Sequence, residues 1–364
     1  MSFEKKALIA MSGGVDSSVA ASLMIDEGYQ CMGITMKLYA GEDTEIKCEK
    51  SCCSIDDVND ARNVAASLDM PYYVMNFKDQ FEEKVIKKFA DTYINGGTPN
   101  PCIDCNRYLK FDKLMDKMKE LGYDYVVTGH YARIEYDEDK KRYILKKGLD
   151  ETKDQSYVLY NMTQEQLAHT KFPLGEYRKT EIREIAESKG FINARKHDSQ
   201  DICFVPDGDY ATFIEKFCGR KFEEGNFVDK EGNVLGCHKG IIRYTIGQRK
   251  GLGITSKEPL YVCGMNIEKN EVILGSNDDV FGEELYAEDM NWISIERPDT
   301  PVKCKVRIRY KQKEDWGTVY PEENGKVRIV FDKPQRGITK GQAVVLYDED
   351  VVLGGGIITT DVIH

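Results

Sequence analysis

The sequence predicts an α/β protein with three parts: a domain built on a parallel sheet, a small mixed central domain, and a C-terminal β-barrel. Three observations carry this expectation. Short apolar runs alternate with stretches of helical period through the N-terminal half. A glycine-bearing loop directly follows the first apolar run. Toward the C-terminus the pattern changes to short strands separated by turn residues. The expected boundaries are 1–208, 209–281 and 282–364.

Residues 5–11, KKALIAM, suit a buried strand. SGGVDSS follows at 12–18, and VAASLMIDEGY then places apolar residues at helical spacing, with Gly28 as the stop. Strand, glycine loop and helix in this order let backbone N–H groups approach an anion. The helix N-terminus adds a favourable partial charge. Ser12, Ser17 and Ser18 supply hydroxyl donors, and Asp16 is a candidate ligand for Mg²⁺. The loop lacks G-K-[ST] and the spacing G-x-G-x-x-G, which excludes the kinase-like phosphate loop and the dinucleotide fingerprint.

The alternation then repeats. QCMGITMKL (30–38) reads as a strand. Residues 54–70 read as a helix opened by Ser54 with Asp57 three positions on, and YYVMNF (72–77) as a strand. Residues 79–94 form the next helical pattern, and 123–134 a strand carrying Thr128, Gly129 and His130. Ligands of such sheets sit beyond the strand C-termini, where the glycine loop, Met36 and Thr128–His130 all fall.

Bulk properties narrow the class. The chain has 364 residues, 41% hydrophobic and 31% charged, as expected of a soluble protein. No apolar run reaches the ~18 residues of a membrane span, and the opening segment is too short for a signal peptide. A cytoplasmic protein without a membrane partner is expected. Eleven cysteines spread along the chain fit reduced thiols rather than a disulfide framework. With 51 Lys and Arg against 62 Asp and Glu, net charge is −11, so a nucleic-acid partner requires cations concentrated on one face.

Two segments carry the cysteines of interest. TPNPCIDCNR (98–107) holds Cys102 and Cys105, and KHDSQDICFV (196–205) holds Cys203. A C-x-x-C by itself is consistent with a dithiol centre, half a zinc site, an iron–sulfur site or a catalytic nucleophile. CEKSCC (48–53), with Cys48, Cys52 and Cys53, reads as a substrate-facing loop and receives no role.

The central segment opens with a helical pattern at 209–218 and continues as short strands. YTIGQRKGLGI (244–254) brings Arg249 and Lys250 to the surface. In KCKVRIRYKQK, Lys303, Lys305, Arg307, Arg309, Lys311 and Lys313 occupy every second position. If that whole stretch is one strand, all six cations share a face and form a rail suited to a phosphate backbone.

SGGVDSS after a first strand resembles the PP-loop ATP pyrophosphatases, whose adenine-nucleotide alpha-hydrolase-like domains bind ATP through that loop. With TPNP, GLDETKDQSYVLY (148–160), FPLGEYRKTEIREIA (172–186), DSQDICF and YTIGQRKGLGI in fixed order, nearly the whole chain resembles the bacterial tRNA-specific 2-thiouridylases. That resemblance implies ATP with Mg²⁺, tRNA as substrate, and a cysteine desulfurase or relay protein as sulfur donor. It implies adenylation of the wobble uracil oxygen, followed by sulfur transfer from a cysteine persulfide. By residue, it implies Cys105 as nucleophile, Cys203 as persulfide carrier, and a Cys105–Cys203 disulfide closing the cycle. ATP is expected on Ala10, Met11, Ser12, Gly13, Gly14, Val15, Asp16, Ser17, Met36 and Gly129. Contacts to tRNA or the target base are expected from Asn100, Pro101, Cys102, His130, Lys153, Asp154, Gln155, Arg309, Tyr310 and Gln342.

One departure stands out. Many members of the family it resembles carry Asp three residues before the nucleophile, where this chain has Cys102. A thiol does not replace a carboxylate of ordinary pKa near 4. Cys102 is therefore a spectator, or Asp104 takes the acid/base role, or Cys102, Cys105 and Cys203 ligate a [4Fe–4S] cluster, as in cluster-dependent thiolases. Thiolate character is expected from Arg107 or a helix N-terminus. Two other functions remain open at this level: an AMP-forming PP-loop ligase acting on a small molecule, and an iron–sulfur RNA-binding regulator with a vestigial loop.

Overall fold

The structure, a computed structural model, describes residues 5–39, 55–196, 202–205 and 207–360. Its contacts divide the chain into two compact units. One comprises Met1–Ile86, Pro101–Gly208 and Asp350–Val352; the other comprises Lys87–Asn100, Asp209–Glu349 and Leu353–His364.

In the first unit β1 (Lys6–Ala10) is followed by helix α1 (Val15–Asp26), β2 (Gln30–Lys37), helix α2 (Ile55–Ser67) and β3 (Tyr72–Asn76). With β4 (Tyr125–Val127) and β7 (Thr170–Lys171) these make a parallel sheet ordered β3-β2-β1-β4-β7. The middle strands are buried along almost their whole length, as unbroken apolar runs in a parallel sheet require. Ala20 and Ala21 on α1 are fully buried in the core beside Ala7 and Ile9 of β1, where short side chains let the helix come close. The parallel sheet and its crossover helices are those the sequence predicts. Ser54, the expected cap of α2, lies outside the described residues, as do Cys48, Cys52 and Cys53.

Three expectations of local structure are corrected. The apolar stretch at 123–134 is not one strand. β4 stops at Val127, Thr128–His130 form a loop, and β5 (Ala132–Asp137) pairs antiparallel with β6 (Arg142–Lys147) in a hairpin. Val351 and Val352 add to the free side of β6. The chain has to turn at Gly129 because it meets the SGG loop there: a Cβ would lie 2.8 Å from the Asp16 carbonyl carbon. The helical pattern at 79–94 is interrupted, with an α-helical turn at Lys78–Phe81, a π-helical turn at Glu82–Ile86, and an α-helix at Lys87–Ile94 that belongs to the second unit. The third correction concerns the cationic strand.

The second unit contains helix Tyr210–Cys218 and a four-stranded sheet ordered β10-β11-β8-β9, formed by Gly225–Val228 (β8), Val234–His238 (β9), Tyr261–Asn266 (β10) and Glu271–Gly275 (β11). A closed barrel follows, from Phe281–Trp292 (β12), Val302–Arg307 (β13), Asp315–Pro321 (β14), Val327–Arg336 (β15), Ala343–Asp348 (β16) and Val351–Ile358 (β17). Pairing of β12 with both β15 and β17 closes the six strands. Inward residues such as Leu285, Val306, Ile329 and Leu346 fill the interior.

β13 ends at Arg307, so the six-cation rail does not exist as one strand face. Only Lys303, Lys305 and Arg307 share the strand's outer face, with Cys304 and Val306 buried between them. Lys303 pairs with Asp332, and Lys305 lies 6.0 Å from the Trp316 ring centroid. Arg307 reaches the Tyr310 carbonyl, which folds the following residues into a turn. Periodicity placed these residues correctly as outward-facing but could not show where strand pairing stops.

Candidate active site

The SGG loop is held by its own hydroxyls. Gly13 has φ +74°, a conformation that favours glycine, and a Cβ there would also lie 2.7 Å from the Asp57 Cα. Ser17 and Ser18 Oγ each donate to the Gly14 carbonyl at 3.0 Å, and the Ser12 N–H donates to Ser17 Oγ at 3.2 Å. Gly14 caps α1, so the loop opens onto the positive end of that helix, a site suited to phosphate.

Several side chains that sequence reasoning left without a role build the loop's surroundings. Asn193 Nδ2 donates to the Gly13 carbonyl at 3.0 Å and to Ser18 Oγ at 2.9 Å. Lys196 Nζ bonds Asp57 at 2.7 Å and Asp60 at 2.6 Å. Lys179 Nζ contacts both Asp16 oxygens, and the Tyr131 hydroxyl donates to the same carboxylate at 2.8 Å. Lys179 is set in place by Asp150, whose carboxylate accepts the Lys179 N–H at 3.0 Å. The signal was present, since Asp150 and Lys179 lie in the quoted segments at 148–160 and 172–186. Their role depends on a contact that linear reading does not show.

Opposite the loop, Pro101–Asp104 begins a helical run that continues as a π-helix at Cys105–Lys113 and an α-helix at Leu114–Glu120. Pro101 sits in the first turn, where its missing N–H costs nothing. Cys102 and Cys105 therefore lie near a helix N-terminus, whose partial charge favours thiolate. A dithiol redox centre shows the same placement, so the helix does not decide the chemistry; the neighbouring loop does. Arg107, the other expected source of thiolate character, lies 5.4 Å from the Tyr108 ring centroid. Asn106 Nδ2 donates to the Val158 carbonyl at 2.9 Å, tying this helix to the turn at Ser156–Leu159. Phe204 packs edge-on against Phe81 at 5.6 Å and anchors Cys203.

These parts enclose one cavity of about 330 Å³ within the first unit, within the usual range for small-molecule sites. Its walls include Ala10, Met11, Ser12, Asp16, Ser17, Met36 and Gly129 from the expected nucleotide set. They also include Pro101, Cys102, Cys105, His130, Gln155 and Cys203. Gly13, Gly14 and Val15 belong to the same loop and helix start but do not line the cavity. The structure thus gathers residues from distant segments of the chain into one place.

Other expected contacts fall elsewhere. Asp154 is buried, and its carboxylate accepts from Ser156 N–H and Oγ at 3.0 Å, holding a turn rather than facing the cavity. Lys153, beside it, is half-buried. Asp104 is buried and does not line the cavity. In the second unit, Arg309 Nη2 donates to the carbonyls of Gly337 at 2.7 Å and Ile246 at 3.2 Å, and to Thr339 Oγ1 at 2.9 Å. Gln342 Nε2 donates to the Thr98 carbonyl at 2.7 Å. Asn100 and Tyr310 are half-buried in that unit.

His130 is buried, with Nδ1 2.6 Å from Thr128 Oγ1 and its ring between Phe111 and Phe172. Burial, helped by the Lys110 charge, holds its pKa well below the usual imidazole value, so it is neutral near pH 7. Burial also pushes the thiols of Cys31 and Cys304 up to about 12 and that of Cys263 up to about 11, which makes them inert core residues.

The donor set was tested against the two inorganic groups that the sequence suggests. Among the described residues no group of three or more Cys, His, Asp or Glu is placed to hold a metal ion. Cys102, Cys105 and Cys203 line the same cavity without forming such a group. Asp16, with both oxygens on Lys179, does not offer Mg²⁺ a ready ligand. No helix among the described residues is long and apolar enough to cross a membrane.

Comparison with known proteins agrees with this geometry. Residues 5–207 match the family model described as a tRNA methyl transferase HUP domain. Residues 211–276 match a tRNA methyl transferase PRC-barrel domain, and 282–358 an aminomethyltransferase beta-barrel domain. The tRNA-specific 2-thiouridylase MnmA of Acetivibrio thermocellus is 52% identical over 98% of this chain and 99% of its own. That of Clostridioides difficile is also 52% identical, over 98% and 99%. Among solved structures, the U34-tRNA thiolase NcsA of Methanococcus maripaludis with its [4Fe-4S] cluster aligns at TM-score 0.35 and 16% identity. It covers 58% of this chain and 66% of that one, a likeness too weak to bear on the cysteines. On its loop, its cavity cysteines and this full-length likeness, the chain belongs to the tRNA-specific 2-thiouridylase family.

Proposed function

We propose that the chain is an ATP-dependent tRNA sulfurtransferase that replaces O2 of the wobble uridine with sulfur. One observation carries the reading: the phosphate-type loop and the thiols of Cys105 and Cys203 line the same cavity. Neither a small-molecule ligase nor a vestigial loop accounts for both.

Uracil O2 attacks the α-phosphorus of ATP, pyrophosphate leaves, and N3 gives up its proton. The terminal sulfur of a Cys203 persulfide attacks C2, the C2–O bond breaks, and AMP departs with that oxygen and its electron pair. The Cys105 thiolate attacks Cys203 Sγ, which breaks the S–S bond to the base and leaves 2-thiouridine, with N3 taking up a proton. The resulting Cys105–Cys203 disulfide is reduced by an external dithiol, and a desulfurase or relay protein restores the persulfide. Backbone N–H groups of the SGG loop orient the phosphates, and neutral His130 offers hydrogen bonding to the base without adding charge. Mg²⁺ enters with ATP, held by its phosphates, and no step is routed through it. A wobble base is single-stranded and enters a cavity without breaking a duplex. Domain limits near residues 208 and 281 suit this reading, with the C-terminal barrel and Arg309, Tyr310 and Gln342 on the RNA side.

The test supplies tRNA, ATP and a persulfide donor, and follows 2-thiouridine by mass spectrometry beside pyrophosphate. Cys105→Ser and Cys203→Ser each reduce thiouridine to background while tRNA-dependent pyrophosphate release continues. Pyrophosphate release driven by a small acceptor, and not by tRNA, establishes the ligase reading instead.

A further inference from the structure

Lys110 is the one cationic side chain among the described residues lining the cavity. It is half-buried, and among the described residues it makes no hydrogen bond or ion pair. Among the described residues lining the cavity the one carboxylate is Asp16, which is already matched by Lys179. Two helix N-termini open onto the same space, and His130 carries no charge. A half-buried ammonium with no partner among the described residues, in such surroundings, suits an anion.

Its position follows from an irregularity in the helix. In an α-helix, residues five apart point roughly 140° away from each other. The stretch Cys105–Lys113 is π-helical, with bonding five residues apart, so Cys105 and Lys110 stack on one face. That face is the cavity wall, since both residues line it. A π-helical turn is rare, and here it places a cation in the wall of the cavity that also holds the thiol and the phosphate loop.

We propose that Lys110 is a catalytic residue whose ammonium binds the phosphoryl group of the adenylated uridine and stabilises AMP as it leaves. The assignment rests on the sulfurtransferase reading. When sulfur attacks C2 and the C2–O bond breaks, the electron pair stays on oxygen and the AMP phosphate gains a negative charge. A cation lining the same cavity lowers the barrier at that moment. The phosphate loop serves the earlier step, in which pyrophosphate departs. Lys110 serves the later one.

The test is calorimetric titration of AMP into the full-length protein, with Lys110→Met and Lys110→Arg alongside. Lys110→Met weakens AMP binding at least ~10-fold, the loss of one charge-assisted hydrogen bond, and Lys110→Arg stays within about threefold. With ATP, tRNA and a persulfide donor, Lys110→Met keeps its pyrophosphate burst but forms AMP and 2-thiouridine more than ~10-fold more slowly. AMP binding unchanged in a Lys110→Met protein of unaltered melting temperature overturns the proposal. If that variant melts early, Lys110→Gln, which keeps a polar end, gives the same comparison. AMP titration needs neither tRNA nor sulfur, so its result stands apart from the sulfurtransferase reading.

Discussion

Lys179 Nζ lies 2.7 and 2.8 Å from the two carboxylate oxygens of Asp16, a residue 163 positions earlier in the chain. The pair joins the first turn of α1 to the helix Lys179–Ser188, and Lys179 is only 10% exposed. Removing either partner leaves a poorly solvated charge. Lys179→Met therefore lowers stability by about 2 kcal/mol and weakens ATP binding ~10-fold, read by urea denaturation and by nucleotide titration. The double variant Asp16→Asn with Lys179→Met regains most of the stability but not the affinity. A double variant as unstable as the sum of the singles refutes the pairing.

Gly129 separates the fold from the site. Its backbone lies against that of Asp16 and Ser17, at 2.8 and 2.9 Å from where a Cβ would stand. Those are backbone atoms and cannot move aside like a side-chain end. Gly129→Ala displaces the SGG loop and reduces ATP affinity at least ~10-fold, with far-ultraviolet circular dichroism preserved. Wild-type affinity in that variant shows that the loop has slack.

His130 gives the site a pH dependence of defined sign. Its folded pKa lies below the unfolded value of about 6.5, so below that pH the unfolded chain binds a proton that the folded chain does not. Stability attributable to a neutral His130 is complete above pH 6.5 and falls as pH drops, by up to about 1.4 kcal/mol per unit. Wild type is destabilised between pH 7.5 and 5.5 more than His130→Gln, as urea midpoints at the two pH values record. Parallel losses in both proteins indicate that His130 titrates normally.

Cys102 lines the cavity with Cys105 and Cys203, yet no metal-binding group forms around it among the described residues. Anaerobically purified protein is expected to contain well under one iron per chain, and Cys102→Ala to keep thiolation within ~10-fold of wild type. About four irons per chain, lost in Cys102→Ala, reverse both expectations.

Arg309 binds two carbonyls and a hydroxyl inside the second unit, whereas Lys311 is exposed. Arg309→Ala lowers the melting temperature by several degrees, as for about 1–2 kcal/mol, and weakens tRNA binding; Lys311→Ala does not change melting. If both lysine and arginine variants melt as wild type, Arg309 serves RNA alone.

The sequence by itself determined the alternation of strands and helices, the loop at residues 12–18 and the three cysteines of the site. Each of these is local: it depends on side-chain period, on glycine's freedom at Gly13, or on residue type at short spacing. Only the tertiary structure decided that Lys179 neutralises Asp16 and that Arg309 braces the second unit, because those contacts span long stretches of chain. The length of β13 likewise depended on its partners, since Arg307 bends back to Tyr310 where pairing with β14 and β16 ends. The register that sets Lys110 beside Cys105 is a property of backbone hydrogen bonding five residues apart. Apolar periodicity tuned to the α-helix does not reveal it.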